Sequence, residues 1–169
     1  MRVTSAQAAK LLRKLNDELR ALQLKESNSS SFVAAIQEDI ESVRPAYNFK
    51  EMRDEQNELE KKIRKVKHAI NVFNTVTIIP DFDITIDEML VYLPQLNSKV
   101  ALLSKMREAM PKVRVNTGYS SGGTIIDYKY ANYDIEEVSR NYTELSDILS
   151  KAQTALDLVN NTVEFDIDI

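Results

Sequence analysis

The chain contains one histidine and no cysteine, so its possible chemistry starts from His68, scattered carboxylates, several tyrosines and a run of lysines. Without a thiol there is no disulfide framework, thiol nucleophile or thiolate metal site. A lone imidazole without a second histidine does not make a zinc centre. His68 stands beside Lys65 and Lys67, outside the apolar positions Val66 and Ile70, and reads as a surface histidine. Asp81, Asp83, Asp87 and Glu88 gather before one helical segment, and Glu164, Asp166 and Asp168 alternate along the C-terminal segment. Carboxylate oxygens suit Ca²⁺ or Mg²⁺. The glycine turn and ligand spacing of an EF-hand are missing, so helix N-terminal charge and a solvated strand face are the favoured reading.

Gly118 to Gly123 has no phosphate-binding lysine and leads into no helix, unlike a P-loop. Lys61, Lys62, Arg64, Lys65 and Lys67 form a basic run, but Glu55, Glu58 and Glu60 lie just upstream. That acidic-before-basic order stabilises a helix by itself. Tyr128, Tyr130 and Tyr133 cluster near a hairpin, where they cover a core edge or, if exposed, suit a protein interface. No residue is assigned a catalytic, cofactor-binding or metal-binding role, and no cofactor is expected.

The elements that must position these groups are helical. Three Gly and four Pro in 169 residues are too few for a loop-rich or disordered chain. Ala8, Leu12, Leu15, Leu19 and Leu22 form one stripe on a helix expected over 5–25, with Thr4 and Gln7 as its capping box. The Ser27-Asn28-Ser29-Ser30-Ser31 run should break it. Residues 32–43 read as a short helix or an irregular connection, and Pro45 sets a boundary at Arg44.

Asn48 and Glu51 start a second helix whose seam is Phe49, Met52, Gln56, Leu59, Ile63, Val66, Ile70 and Phe73. A polar group in such a seam, here Gln56, fixes register or oligomer state. The β-branched residues 75–79 then read as a strand, with 82–84 as a second one. Thr85 and Glu88 open a third helix with Met89, Leu93, Leu96, Val100 and Leu103. Pro94 within it implies a kink or a later start near Leu93, and Pro111 ends it. Residues 112–116 and 124–130 read as strands joined by a tip at 117–123. Asp134 and Glu137 open a fourth helix with Ile135, Val138, Tyr142, Leu145, Leu149, Ala152, Leu156 and Val159, followed by an alternating strand over 163–169. Asn71, Asn74, Asn160 and Asn161 are placed to cap carbonyls at the ends of the second and fourth helices.

The order repeats. Lowering the third helix by 81 positions lays Thr85 on Thr4, Glu88 on Gln7, Leu96 on Leu15 and Asn97 on Asn16. Lowering the fourth by 86 lays Asp134 on Asn48, Glu137 on Glu51 and every seam position on its counterpart. Separately, both helices run through an Asn-Thr-Val triplet, at 74–76 and at 161–163. The expected fold is mainly α: one domain, 1–169, with four long heptad-patterned helices bundled as two helical hairpins. The halves 1–81 and 82–169 are an internal duplication, with a small β-hairpin and short terminal strands.

At two helix ends the chain resembles the septicolysin-like family, small bacterial and phage helical proteins without an established biochemical role. Its Ile-Asn-x-x-Asn pattern is matched by Ile70-Asn71-Val72-Phe73-Asn74, and its Asn-Trp-Thr-x-Glu pattern by Asn160-Asn161-Thr162-Val163-Glu164. Asn161 replaces the family's Trp, and Leu93-Pro94 stands where an Arg-Asp pair is usual. The resemblance implies the helix order and late β segment, and brings no catalytic residue.

The net charge of −4 gives no overall pull toward nucleic acid or an anionic membrane. Met1-Arg2-Val3-Thr4 leads into a polar helical pattern rather than the apolar run of a signal peptide, and no apolar run is long enough to span a bilayer. The expectation is a cytoplasmic, non-enzymatic, self-associating protein: a homo-oligomer with an assembly or protein-binding role, and with neither nucleic acid nor membrane as partner. The alternatives are a metal- or small-ligand-binding bundle using the acidic segments, and nucleic-acid binding through the basic run of the second helix.

Overall fold

A computed structural model describes residues 1–115 and 127–169. The protein is mainly helical, with small antiparallel sheets, and divides into two compact units: residues 1–77 with 158–169, and residues 78–157.

In the first unit, strand β1 (Arg2–Thr4) leads directly into helix α1 (Ser5–Ser29). The Thr4 hydroxyl accepts the Gln7 backbone N–H, and the Gln7 side chain accepts the Thr4 N–H, completing the expected box. α1 does not stop at the serine-rich run. Its last turn continues to Ser29, closed by the Ser30 N–H donating to the Glu26 carbonyl at 2.8 Å. The Glu26 side chain is anchored to the next long helix, and that tertiary hold outweighs the local preference of Ser and Asn for non-helical backbone.

The connection holds one short helix, α2 (Ile40–Val43), which ends at an extended Arg44 before Pro45. Helix α3 (Phe49–Val76) starts at Asn48, whose side chain accepts the Lys50 and Glu51 N–H groups. Met52, Gln56, Ile63, Val66 and Phe73 of its seam are buried. Phe49 is not: it sits in the first turn, 65% exposed, with the Arg53 guanidinium 5.9 Å from its ring centre. The helix also runs through Thr75 and Val76 where a strand was expected. The Thr75 hydroxyl donates to the carbonyls of Asn71 and Val72, which accommodates a β-branched residue in the last turn.

Val3, Ala8, Leu15, Ile63, Val66 and Ile167 form one apolar core in this unit. Ile167 comes from the segment that closes the unit, where β6 (Glu164–Asp166) pairs antiparallel with β1. The partners are Arg2 with Asp166, Val3 with Phe165 and Thr4 with Glu164. The amino terminus donates to the Ile167 carbonyl at 2.8 Å, and the Ile167 N–H donates to the Met1 carbonyl.

In the second unit, β2 (Ile78–Ile79) pairs with β3 (Ile84–Thr85) across a tight turn. Only these two residues of the β-branched run are strand, and the second strand includes Thr85. Asp81 and Asp83 hold the turn at φ 67° and 55°, a region that Asp tolerates better than most residues. Helix α4 (Ile86–Arg107) follows, capped by Thr85 and Glu88 as expected. Pro94 lies within it, so the helix does not start late. Pro94 leaves the Leu90 carbonyl without its helical donor. Both residues are exposed, on the side of the helix where losing one bond costs least.

Strands β4 (Lys112–Arg114) and β5 (Tyr128–Tyr130) form the expected hairpin, extended by Val115 N–H donating to the Asp127 carbonyl. The tip at 117–123 and the strand residues Asn116 and 124–126 lie outside the described residues. Helix α5 (Ile135–Thr162) begins after Asp134, whose carboxylate accepts the Glu136 N–H, and its C-terminal residues belong to the first unit. Ile79, Ile86, Met89, Leu96 and Ala152 are almost fully buried in the second unit.

Candidate functional site

The structure scatters most of the groups flagged in the sequence. Asp81, Asp83 and Asp87 are exposed. Glu88 is spent on its cap, where hydrogen bonds from the Thr85 backbone and then the Thr85 hydroxyl hold its carboxyl below the usual range. Glu164 pairs with Arg2 at 3.0 Å and Asp168 with Lys65 at 3.1 Å. Among the described residues, no group of His, Asp and Glu is arranged to hold a metal ion. In the basic run, Arg64 pairs with Glu60 at 3.8 Å, whereas Lys61, Lys62 and Lys67 face solvent.

One convergence does occur in the first unit. His68, Lys65, Asp166 and Asp168 line a groove of about 460 Å³ beside Phe73 and Phe165, whose rings stack 4.4 Å apart. His68 is exposed there. Among the described residues it has no hydrogen-bonded nucleophile or orienting carboxylate, the relation that general-base catalysis needs.

The same unit contains a polar node that was not visible in the sequence. The Glu26 carboxylate accepts from Tyr47 Oη at 3.0 Å, from Gln56 Nε2 at 3.0 Å and from the Arg53 guanidinium. The Gln56 bond, ahead of those from Tyr47 and Arg53, keeps its carboxyl below the ordinary value, against the opposing effect of burial. Burial and the neighbouring carboxylate push the Tyr47 phenol up. Gln56 thus has its partner within the chain: a 5%-exposed seam residue donating to the last turn of α1. These bonds fix α1 against α3.

The most exposed large aliphatic side chains among the described residues lie together in one segment. Between α1 and α3, Val33 is 93% exposed and Ile36 fully exposed, with Phe32, Ile40 and Val43 also open to solvent. Large aliphatic residues this exposed, several together, mark binding surfaces. The signal in the sequence was their density in a segment with no seam to join. The second unit has a counterpart in its own interhelical connection. Met110, Val113, Val115, Tyr128, Tyr130 and Tyr133 are exposed, so the tyrosine trio faces solvent rather than a core edge. Lys112 Nζ lies 4.0 Å from the Tyr128 ring centre and 5.5 Å from that of Tyr130. Tyr133 Oη donates to the Met106 carbonyl at 3.0 Å, and the Arg107 guanidinium covers the Tyr142 ring at 3.8 Å. The first contact ties the segment after β5 to α4 and the second joins α4 to α5, and beside the hairpin opens a groove of about 540 Å³.

No helix among the described residues is long and apolar enough to cross a membrane. No protein-family model matches the sequence, and no curated protein matches it. The fold is similar to the crystal structure of a functionally unknown conserved protein from Corynebacterium diphtheriae, with a TM-score of 0.58 and 18% identity over 98% of this chain and 100% of that one.

Proposed function

We propose that this is a non-enzymatic, self-associating helical-bundle protein of the cytoplasm, built as a tandem duplication of one helical hairpin, with a role in assembly or in binding another protein. The observation that carries it is the exposed apolar surface of the α1–α3 connection, centred on Val33 and Ile36. Burying such residues stabilises an association by about 25 cal/mol per Å² of apolar area before binding costs are met. The resemblance to the septicolysin-like family belongs to the same reading and adds no activity to it.

The duplication draws its support from geometry that heptad periodicity does not force. With the offsets of 81 and 86 found in the sequence, the pair Thr4–Glu164 corresponds to Thr85–Ile78, and Val3–Phe165 to Ile84–Ile79. The Asn16 amide donates to the Leu12 carbonyl, and the Asn97 amide donates to that of Leu93. Thr77 N–H donates to the Phe73 carbonyl as Val163 N–H donates to that of Val159. Two strand pairs, the caps and a last-turn bond of each half therefore fall at matching positions.

Light scattering coupled to size-exclusion chromatography, over a protein concentration series, tests the self-association. The expected result is a mass above that of one chain which rises with concentration and falls to the single-chain value in Ile36→Glu. A single-chain mass at every concentration contradicts the proposal. Metal binding is less well supported, because Glu164 and Asp168 each already face a different cation.

A further inference from the structure

The two exposed connections carry opposite charge. Around Phe32, Val33, Ile36 and Ile40 stand Glu38, Asp39 and Glu41, with Arg44 as the only basic residue of the connection. Glu41 is taken up by Arg44 at 2.8 Å. Glu38 and Asp39 have no ion-pair partner among the described residues. The β4–β5 connection is the reverse: it carries Lys112, Arg114 and Lys129 against the single acid Asp127, and residues 116–126 contain no charged side chain.

The groove beside that hairpin combines both requirements of a docking site. Met106, Met110, Val113 and Tyr133 supply apolar lining, and Lys105 and Lys129 line it with them. Neither lysine has an ion-pair partner among the described residues. Val113 and Lys129 are cross-strand partners, so an apolar contact and an ammonium are offered side by side. A ligand for this groove needs an exposed aliphatic side chain with carboxylates close by in sequence. Ile36, followed by Glu38 and Asp39, has that pattern.

We propose that the α1–α3 connection of one copy docks in the β4–β5 groove of a second copy, with Ile36 entering the apolar lining and the acidic segment that begins at Glu38 and Asp39 facing Lys105 and Lys129. This rests on the self-association proposed above and names its surfaces. The contact is heterologous: each copy offers one acidic connection and one basic groove, so the association extends head to tail, into a ring if the rotation closes and a filament if it does not. Charge complementarity sets the pairing and its salt dependence, while the apolar contact supplies affinity.

A charge-reversal pair tests it in the full chain. Lys105→Glu/Lys129→Glu makes the groove acidic. Glu38→Lys/Glu41→Lys makes the connection basic and leaves the Asp39 cap of α2 in place. By light scattering, each double variant alone should associate about tenfold or more weakly than the parent. An equimolar mixture should regain association, because each variant's groove then meets a connection of opposite charge. Recovery in the mixture also shows that both variants are folded. Oligomers that persist in both variants, or monomers that stay apart when mixed, overturn this pairing while self-association stands. A parent chain that is monomeric at every concentration removes both.

Discussion

The strand ladders and the interhelical connections are built from the same aliphatic residue types, yet the chain treats them oppositely. At the ladders, Val3, Ile79 and Ile167 are buried, and the two pairs of β2–β3 coincide with two of the three pairs of β1–β6 when shifted by 81 and 86 positions. At the connections, Val33, Ile36, Met110 and Val113 are exposed, and one is a loop with a single-turn helix while the other is a β-hairpin. The ladders are constrained by packing, since shifting a strand by one residue turns its buried side chains outward. The exposed aliphatic residues of the connections have no buried position to keep, and the two connections differ in structure. These exposed aliphatic residues are the surface that the proposed association would bury.

The sharpest way to break this comparison uses one substitution at two places. Ile167→Ala should cost about 2–5 kcal/mol in urea unfolding, as a cavity in the core formed with Val3 and Val66. Ile36→Ala should change stability by no more than about 0.5 kcal/mol while weakening association. Equal losses of stability at both sites would erase the distinction. Pro94→Ala should stabilise by about 1–3 kcal/mol, since it restores the bond to the Leu90 carbonyl. A loss of stability there would mean the proline serves a packing role on its exposed face.

The caps test the proposed repeat. Thr4→Ala and Thr85→Ala should each cost about 1 kcal/mol, measured by thermal unfolding, because the two boxes are equivalent. A full effect at one and none at the other would separate the halves energetically. The smallest effect concerns acid. Glu26 titrates below its ordinary value of 4.5 in the folded state, with the Gln56 bond as the largest cause. Its stabilisation is therefore present above that value and is lost as pH falls through the lower folded one. Glu26→Gln should flatten the acid limb of a pH–stability profile. An unchanged limb would mean that the node contributes nothing through ionisation.

Much of the fold was legible from the residues. Thr4, Asn48, Thr85 and Asp134 all act at the helix starts they marked, because capping depends on neighbours within one turn. The seams were legible for the same local reason. What escaped is set by distant partners. The first strand was missed because Arg2–Thr4 become strand only beside Glu164–Asp166. The last turn of α1 outlasts its serines because Glu26 finds Tyr47, Arg53 and Gln56. Phe49 kept the heptad but lies outside the packed seam. The candidate interface was the least legible part, since exposure of Ile36 is a tertiary property that no spacing encodes.

Backbone hydrogen exchange at low and high protein concentration tests the central contrast most directly, because it reports each segment separately. The account predicts that residues 32–43 and the β4–β5 hairpin gain protection as concentration rises, while β1, β6, β2 and β3 exchange at unchanged rates. Protection gained at the strand ladders, with the connections unaffected, would contradict it.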